Sequence, residues 1–337
     1  MDGLAIVPLL LVGAALAFSV IAAVHHAEVI AHKLGEPFGT LVLALAVTVI
    51  EVGLILSLMS GAPDGAATLA RDTVIAAVMI ILNGLVGICL LIGGLRHHEQ
   101  TFQQAGVSAA LATLCALTVL SLVLPNFTVS EAGPVYSEAQ LAFVAVVSLI
   151  LYGTFVMVQT VRHREYFLTP EAAAAEDLAG RAGSGRRGQL AWPFLLLLAA
   201  LGAVVMLAKI LSQPLEIAIE GWGAPHATVG VMIAALVLLP ESVAATRAAL
   251  ANRLQTSLNL ALGSALATIG LTIPAVAALS IYSEMPLSLG LTDKGVVLLA
   301  LTLLVSTLSL GIGRTTVLQG VVHLVIFGVY LFTTIVP

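Results

Sequence analysis

Two glutamates lie within long apolar stretches of this 337-residue sequence. Glu51 lies in ALAVTVIEVGLI, and Glu241 lies in AALVLLPESV directly after Pro240. A charged side chain at the centre of a bilayer costs about 3 kcal/mol by insertion scales, so an acid in such a position has a function by default. A carboxylate removed from water is stabilised when it binds a cation or a proton. We therefore predict that Glu51 and Glu241 are metal ligands that bind either a cation or protons.

Oxygen-bearing side chains accompany the two glutamates in the apolar stretches. Oxygen ligands suit Ca²⁺ and also Na⁺ or K⁺, and two carboxylates would neutralise one Ca²⁺. The residues predicted to line the site are Thr48, Ser57, Asn83, Ser242, Asn259, Ser264 and Thr268. For Asn83 and Asn259 two interpretations stay open, because an asparagine in a membrane helix often bonds to a neighbouring helix instead. Ser264 and Thr268 lie four residues apart and therefore share a helix face.

Pro240 indicates a break in the helix that contains Glu241. A proline has no N–H to donate, so the carbonyl about four residues earlier loses its helical partner. In lipid such a carbonyl needs another partner or a cavity. Broken helices beside a carboxylate are typical of cation sites in transporters, and a simple kink is the alternative.

Composition excludes several classes of protein. Hydrophobic residues make up 60% of the chain and charged residues 9%, whereas soluble domains contain about 25% charged residues. The net charge of −5, without a basic stripe, argues against nucleic acid as a partner. No H-E-x-x-H motif occurs, and the spacing around Ser264 is not that of a G-x-S-x-G hydrolase. We predict no enzyme activity and no cofactor, and as partners the lipid bilayer, inorganic cations and protons.

Runs of roughly 20 apolar residues recur along the chain, and a helix of that length spans the hydrocarbon core. The sequence predicts an all-α polytopic membrane protein with ten transmembrane helices. The predicted spans are 4–24, 38–60, 73–95, 105–124, 138–161, 191–211, 226–250, 255–280, 295–312 and 315–336. The charged, Ala/Gly-rich segment 162–190 is the one long connection.

Lys and Arg residues predict the orientation, because they are enriched in cytoplasmic loops. With the 162–190 loop in the cytoplasm, ten of the thirteen Lys and Arg residues face the cytoplasm. The three on the outer side are Arg71, Lys209 and Lys294. Both termini then face outward.

The two halves of the sequence contain the same features in the same order. GEPFGT at 35–40 is followed by Glu51, and GAPHAT at 223–228 is followed by Glu241. The proline of each motif precedes its glutamate by 14 residues in the first half and by 16 in the second. Because each half has five spans, the second half is predicted to be inverted, as in many secondary transporters. The predicted domains are a first five-helix repeat at 1–161, a cytoplasmic loop at 162–190 and a second, inverted five-helix repeat at 191–337.

The chain resembles bacterial calcium/proton antiporters of the calcium:cation antiporter superfamily in HHAEVIAHKLGEPFGTLVLALAVTVIEV and in LVLLPESVAATRAALANRLQTSLNLALGSALATIGLTIPAV. The last span also resembles that family, in GRTTVLQGVVHLVIFGVYL. The resemblance extends over nearly the whole chain. It implies two inverted five-helix halves in the bacterial inner membrane, with the glutamates of spans 2 and 7, here Glu51 and Glu241, binding cation or proton. It also implies that proton entry drives export of Ca²⁺, and in some members of Na⁺ or K⁺.

One departure from the superfamily leaves the ion open. VTVIE and VLLPE occur where the wider superfamily has a glycine–asparagine–x–x–glutamate pattern. The leading hypothesis is therefore proton-coupled antiport with Ca²⁺ as the first choice of ion and Na⁺ or K⁺ next. A cation channel with the same site is the second hypothesis. Paired inverted halves and protonatable ligands favour the antiporter over the channel.

Histidines give weaker signals at two places. His25, His26, Glu28 and His32 lie near the predicted inner surface, where the pattern fits a metal or pH-sensing site and also fits a polar helix end. His323 lies well inside the last span, and it is either a proton relay or a hydrogen-bonded interior histidine.

Overall fold

The computed structural model of the protein describes residues 3–34, 38–59, 66–167, 190–221, 225, 227–283, 285 and 287–336. Nearly all of them are helical, as expected in lipid, where a helix bonds its own backbone groups. The helices are α1 (Gly3–Leu34), α2 (Phe38–Met59), α3 (Ala66–Met79), α4 (Val86–His97), α5 (Gln104–Thr118), α6 (Glu138–Met157), α7 (Ala191–Gly221), α8 (Ala227–Val237), α9 (Leu239–Leu250), α10 (Leu254–Ala267), α11 (Ile273–Ser283), α12 (Asp293–Leu310) and α13 (Val317–Ile335). Two short strands, β1 (Gln100–Thr101) and β2 (Arg314–Thr315), pair antiparallel.

A continuous or interrupted helix occurs at each of the ten predicted spans. Among the described residues, eight helices are long and apolar enough to cross a membrane, and nine if the bent pair α8 and α9 is one span. The apolar part of α2 is shorter, Val42–Leu58. The all-helical membrane fold is therefore confirmed, whereas ten crossings and the inversion of the second half stay predictions.

Two helices continue beyond the predicted spans. The predicted span 4–24 ends before α1, which continues to Leu34, and the predicted span 191–211 ends before α7, which continues to Gly221 with Pro214 inside it. Hydropathy marks only the apolar part of a helix, so polar turns that extend it are not detected. Most of the predicted loop, residues 168–189, lies outside the described residues, as do residues 35–37 of GEPFGT and 223, 224 and 226 of GAPHAT.

π-helical turns occur within or at the end of several spans, and two of them join helices, α3 to α4 and α10 to α11. Within the described chain they are Ile80–Leu85, Val119–Val123, Val158–Arg162 and Thr268–Thr272. Turns of this kind occur frequently at functional sites. The first begins 29 residues after Glu51, and the last begins 27 residues after Glu241. Each half thus places a π turn at a similar distance from its glutamate.

Hydrogen bonds between connecting segments define the two ends of the bundle. At one end, β1 pairs with β2, and the nearby Gln103 N donates to Gln255 Oε1 in the first turn of α10 at 2.6 Å. We call this the β-ribbon end. At the opposite end, Ser288 N donates to Ala67 O in the first turn of α3 at 2.8 Å. Spans 3 and 8 therefore run in opposite directions.

Buried apolar side chains form two clusters. The smaller cluster comes from α1, α2 and α7, with residues at the start of α3 and along α8 and with Val276 of α11. The larger cluster comes from most of the remaining helices, α3 to α6 and α9 to α13. Within the smaller cluster, α1 packs along α7 and both helices contact α2. The core is thus divided into two packing units.

Candidate functional site

Glu51 lies in the middle of α2 with 2% of its surface exposed. Thr272 Oγ1 donates a hydrogen bond to Glu51 Oε2 at 2.7 Å. Thr268, one turn earlier, neighbours the same carboxylate. A hydrogen bond to a charged group contributes about 1.5–3 kcal/mol, so these hydroxyl groups can stabilise a negative charge on Glu51 in apolar surroundings.

The two threonines lie in the π turn between α10 and α11. Pro274 follows this turn, and because it has no N–H, the carbonyl of Gly270 cannot accept the usual bond from four residues later. Gly270 also permits a close approach of α6, since a Cβ at this position would lie 2.6 Å from Tyr152 Cβ. The proline and the glycine together explain why the helix widens here, where Thr268 and Thr272 meet Glu51.

Glu241 lies in the first turn of α9, directly after a 57° bend between α8 and α9. Pro240 accounts for the bend, because it removes a helical hydrogen bond. The position places the carboxylate at the positive end of the α9 dipole. Glu241 Oε2 is buried and has no hydrogen-bond partner in the described part of the chain. The predicted helix break is confirmed, and it leaves a buried acceptor without a partner.

Glu241 lies within electrostatic reach of Glu51. Glu28 of α1 is also within electrostatic reach of Glu241. Neighbouring carboxylates repel one another when ionised, and a bound cation or proton relieves that repulsion. Either a cation or protons can therefore bind to these carboxylates.

Glu241 lines a cavity of about 300 Å³. Its walls are the first half of α2, the last turns of α6 and one side of α10 from Thr256 to Ala267, together with Phe167. Thr256, on its rim, is exposed. Because α10 begins at the β-ribbon end, the cavity lies toward that end of the bundle.

Toward the opposite end, α7 lies against the second half of α2. A Cβ at Gly53 would lie only 2.9 Å from Val205 Cγ2. Ser57 Oγ donates to Val205 O at 3.4 Å. Glu51 is therefore buried behind a close helix contact on this side, while Glu241 meets the cavity on the other.

Two of the predicted ligands, Asn259 and Ser264, line the cavity with Glu241. Asn259 Nδ2 donates to Phe167 O at 2.5 Å, and Asn259 Oδ1 accepts from Gln255 Nε2 at 2.8 Å. Its amide is thus engaged in contacts that join the end of the α6 span to α10. No side-chain partner of Ser264 is observed among the described residues, and this hydroxyl is half-buried at the cavity wall.

The other hydroxyl candidates are placed differently. Thr48 and Ser57 donate to carbonyls one turn earlier, those of Ala44 and Gly53, at 2.8 and 2.7 Å. Both line a groove between α2 and α7 and not the cavity. Ser242 is half-buried next to Glu241.

Asn83 and His323 belong to a separate buried cluster between the first π turn, α12 and α13. Asn83 Nδ2 donates to Thr302 Oγ1 at 2.8 Å, and His323 Nδ1 lies 3.3 Å from Asn83 Oδ1. Ser309 Oγ lies 2.7 Å from His323 Nε2. A neutral imidazole with its proton on Nδ1 satisfies all these contacts. His323 is therefore a hydrogen-bonded interior histidine in this structure, and its role as a proton relay stays a prediction.

The histidine cluster of α1 is described only in part. His25 and Glu28 are exposed and His26 is half-buried, while the side chain of His32 lies outside the described residues. In the part of the chain that is described, no group of three or more His, Cys, Asp or Glu residues could hold a metal ion. A cation between Glu51 and Glu241 would therefore need further oxygen ligands from hydroxyl groups, backbone carbonyls or water.

Sequence reasoning missed Thr272, which makes the direct contact with Glu51. The signal was present, because Ser264, Thr268 and Thr272 are spaced four residues apart and extend one polar face of the helix. What the sequence could not give is the partner, since Thr272 and Glu51 are separated by 221 residues.

Comparisons with known proteins agree with this architecture. The chain matches the family described as "Sodium/calcium exchanger protein" over residues 4–161 and 192–336. It is 51% identical to "Putative ionic transporter y4hA" of Sinorhizobium fredii, over 98% of this chain and 89% of that protein. It is 36% identical to "Sodium-potassium/proton antiporter ChaA" of Escherichia coli, over 94% of this chain and 85% of that protein. The crystal structure of an H⁺/Ca²⁺ exchanger, CAX, has the same fold, with a TM-score of 0.70, 16% identity and coverage of 97% of this chain and 82% of that one.

Proposed function

The chain belongs to the sodium/calcium exchanger protein family, and from that premise we propose that it exchanges a hard cation for protons across the bacterial inner membrane. Glu51 and Glu241 bind either the cation or protons, and the site alternates between the two sides. The observation on which the proposal depends is that two carboxylates lie inside apolar stretches, with Glu51 bonded to Thr272 and Glu241 at a cavity.

Physical chemistry supports exchange over simple binding. An ionised carboxylate without a partner is strongly unfavourable in apolar surroundings, and Glu241 Oε2 is buried in that situation. Either a cation or a proton removes this penalty, so the site favours two loaded states over an empty one. A transporter that moves only when loaded couples the two fluxes.

The positions of the cavity and of the α2–α7 contact support a sided mechanism. The cavity lies toward the β-ribbon end, and the contact at Gly53 and Val205 lies toward the other. Phe167, which lies within the described first part of the predicted cytoplasmic loop 162–190, lines the cavity. With that loop in the cytoplasm, the cavity faces the cytoplasm, which supports an inward-open arrangement of the site.

Ca²⁺ is the first candidate ion, because two carboxylates balance its charge and hydroxyl and carbonyl oxygens are its usual ligands. Na⁺ or K⁺ is the second candidate, and the name of the Escherichia coli relative supports it. The family match at residues 4–161 and 192–336 supports the proposal of two five-helix repeats.

Exchange is tested in proteoliposomes with an acidic lumen and with the membrane potential clamped. Addition of external CaCl₂ is expected to alkalinise the lumen, and NaCl and KCl added separately identify the alternative ions. Glu51→Gln and Glu241→Gln are each expected to abolish the signal, whereas Glu138→Gln, at an exposed helix start, serves as the matched control. Cation flux without proton counterflow would show a channel, and full exchange in either site variant would refute the assignment of the site.

A further inference from the structure

The cavity beside Glu241 is larger and more apolar than an inorganic cation requires. Its volume of about 300 Å³ is at the lower end of the range for small-molecule sites, which is about 300–1,000 Å³. Such sites typically combine apolar walls with a few polar groups. Here α2 contributes Leu43, Ala44 and Val47, whose side chains offer no ligand to a hydrated ion.

One wall of the cavity is aromatic. Tyr152, Phe155 and Phe167 are all largely buried and line it. Phe155 and Phe167 pack edge to face with ring centroids 5.7 Å apart. Aromatic rings attract organic cations, and quaternary ammonium groups are often recognised in this way.

The charge in the cavity is that of Glu241. Its buried Oε2 has no hydrogen-bond partner in the described chain, so the cavity offers a buried, unsatisfied carboxylate oxygen. The other polar residues in the lining are uncharged, namely Gln159, Thr256, Asn259 and Ser264, and the rest of the walls are apolar or aromatic. The side-chain amide of Asn259, in the α10 wall of the cavity, already forms hydrogen bonds with Phe167 O and with Gln255. The complementary ligand is therefore positively charged at one point and apolar elsewhere.

We propose that this cavity binds organic ammonium ions with apolar or aromatic substituents. Glu241 holds the charged nitrogen, and the substituents fill the space between α2, α6 and α10. The inference shares Glu241 with the proposed function, but binding of such an ion requires no transport. An occupant of this size separates Glu241 from the β-ribbon end and excludes the inorganic ion from that side.

Benzyltrimethylammonium is the probe, and tetramethylammonium is its matched control with the same charge and no aromatic group. Neither releases a proton, so neither collapses a pH gradient as a simple amine does. Binding is measured by isothermal titration calorimetry on the full chain in nanodiscs. Benzyltrimethylammonium is expected to bind at least tenfold more tightly than tetramethylammonium, because only it fills the apolar walls. Absent binding, or equal binding of both ions, would overturn the proposal on the wild-type protein alone.

Two variants locate the binding. Glu241→Gln is expected to weaken benzyltrimethylammonium at least tenfold. Gly263 lines the cavity and a Cβ there meets nothing within 4 Å, so Gly263→Leu is expected to place its side chain in the cavity space. It is also expected to weaken binding at least tenfold. Gly153→Leu is the matched control, because Gly153 is equally open but exposed outside the cavity. Unchanged affinity in Gly263→Leu, with the protein folded, would place the ligand elsewhere and refute the inference.

The two proposals can fail separately. Benzyltrimethylammonium binding without inorganic cation exchange would refute the proposed function and support this site. Exchange without benzyltrimethylammonium binding would refute this site and leave the exchanger intact.

Discussion

Thr272→Val removes the hydroxyl that donates to Glu51 Oε2 at 2.7 Å and keeps the volume and branching of the side chain. A hydrogen bond to an ionised group contributes about 1.5–3 kcal/mol, and about 1.4 kcal/mol corresponds to one pH unit. In the wild type this bond favours the ionised carboxylate over the protonated one. The variant therefore binds protons more tightly, and its pH midpoint for cation binding is expected to rise by about one to two units.

The pH midpoint is expected to rise because the proton and the cation compete for one site. Tighter proton binding lowers the apparent cation affinity at acidic pH, by about tenfold or more where protonation dominates. At alkaline pH the proton is gone, and the affinity of the variant is expected to return toward the wild-type value. The assay is equilibrium binding of Ca²⁺, or of whichever ion the exchange assay identifies, over a range of pH.

Thr272→Ser is the matched control, because it keeps the hydroxyl and loses only a methyl group. It is expected to follow the wild-type pH profile. A loss of affinity in Thr272→Val that is equal at all pH values, or an identical loss in Thr272→Ser, would refute the reasoning, since either result would mean that packing and not the hydrogen bond determines the effect.

Three further changes test other parts of the structure. Gly53→Val forces α2 and α7 apart at Val205, and overpacking of this kind costs about 1–3 kcal/mol. Because the site alternates between the two sides, opening this contact favours the state in which the cavity is closed. Thiol labelling of a cysteine at Ser264 in the cavity is therefore expected to slow about fivefold or more, and unchanged labelling would contradict the closed contact. Pro240→Ala restores a helical N–H and is expected to straighten the bend and reduce exchange at least tenfold, measured in proteoliposomes; normal exchange would show that the bend is dispensable. His323→Leu leaves buried partners unsatisfied and is expected to lower the free energy of unfolding by about 1–3 kcal/mol with exchange per folded molecule retained; lost exchange at unchanged thermal stability would instead identify a proton relay.

The sequence predicts the features of this fold that depend on composition along one segment. Apolar runs long enough to span lipid form helices because no other local structure bonds all of their backbone groups. Pro240 breaks its helix for the same local reason, since the missing N–H acts within four residues. Glu51 and Glu241 are recognisable because an acid in an apolar run is rare and costly.

Features that depend on contacts between distant segments could not be predicted in the same way. Asn83 lies in an apolar stretch, as the sequence predicts for a ligand, yet its partner His323 is 240 residues away. Thr48 lies one turn before Glu51, but its hydroxyl bonds to its own helix. The spacing of residues predicts which side chains share a helix face. It does not predict which helix packs against that face, because this depends on the packing of the whole bundle.

The Glu51–Thr272 bond crosses the boundary between the two apolar packing units. Ile50 and Leu54, on either side of Glu51, belong to the smaller cluster, while Ile269 and Ile273 near Thr272 belong to the larger one. Apolar surfaces can slide past each other in lipid without losing polar bonds. A hydrogen bond across the boundary therefore resists sliding more than the apolar contacts around it do. Charged hydrogen bonds are roughly twice as strong as neutral ones.

An empty, ionised Glu51 is therefore held most firmly by Thr272, and a bound proton or cation weakens that hold. On the proposed function this is the requirement for coupling, because the loaded states move and the empty state does not. The Thr272→Val variant is then expected to let the empty site move, which appears as cation entry into proteoliposomes with no pH gradient and no proton counterflow. Tight coupling in that variant, with cation binding intact, would show that the bond does not restrain the two packing units.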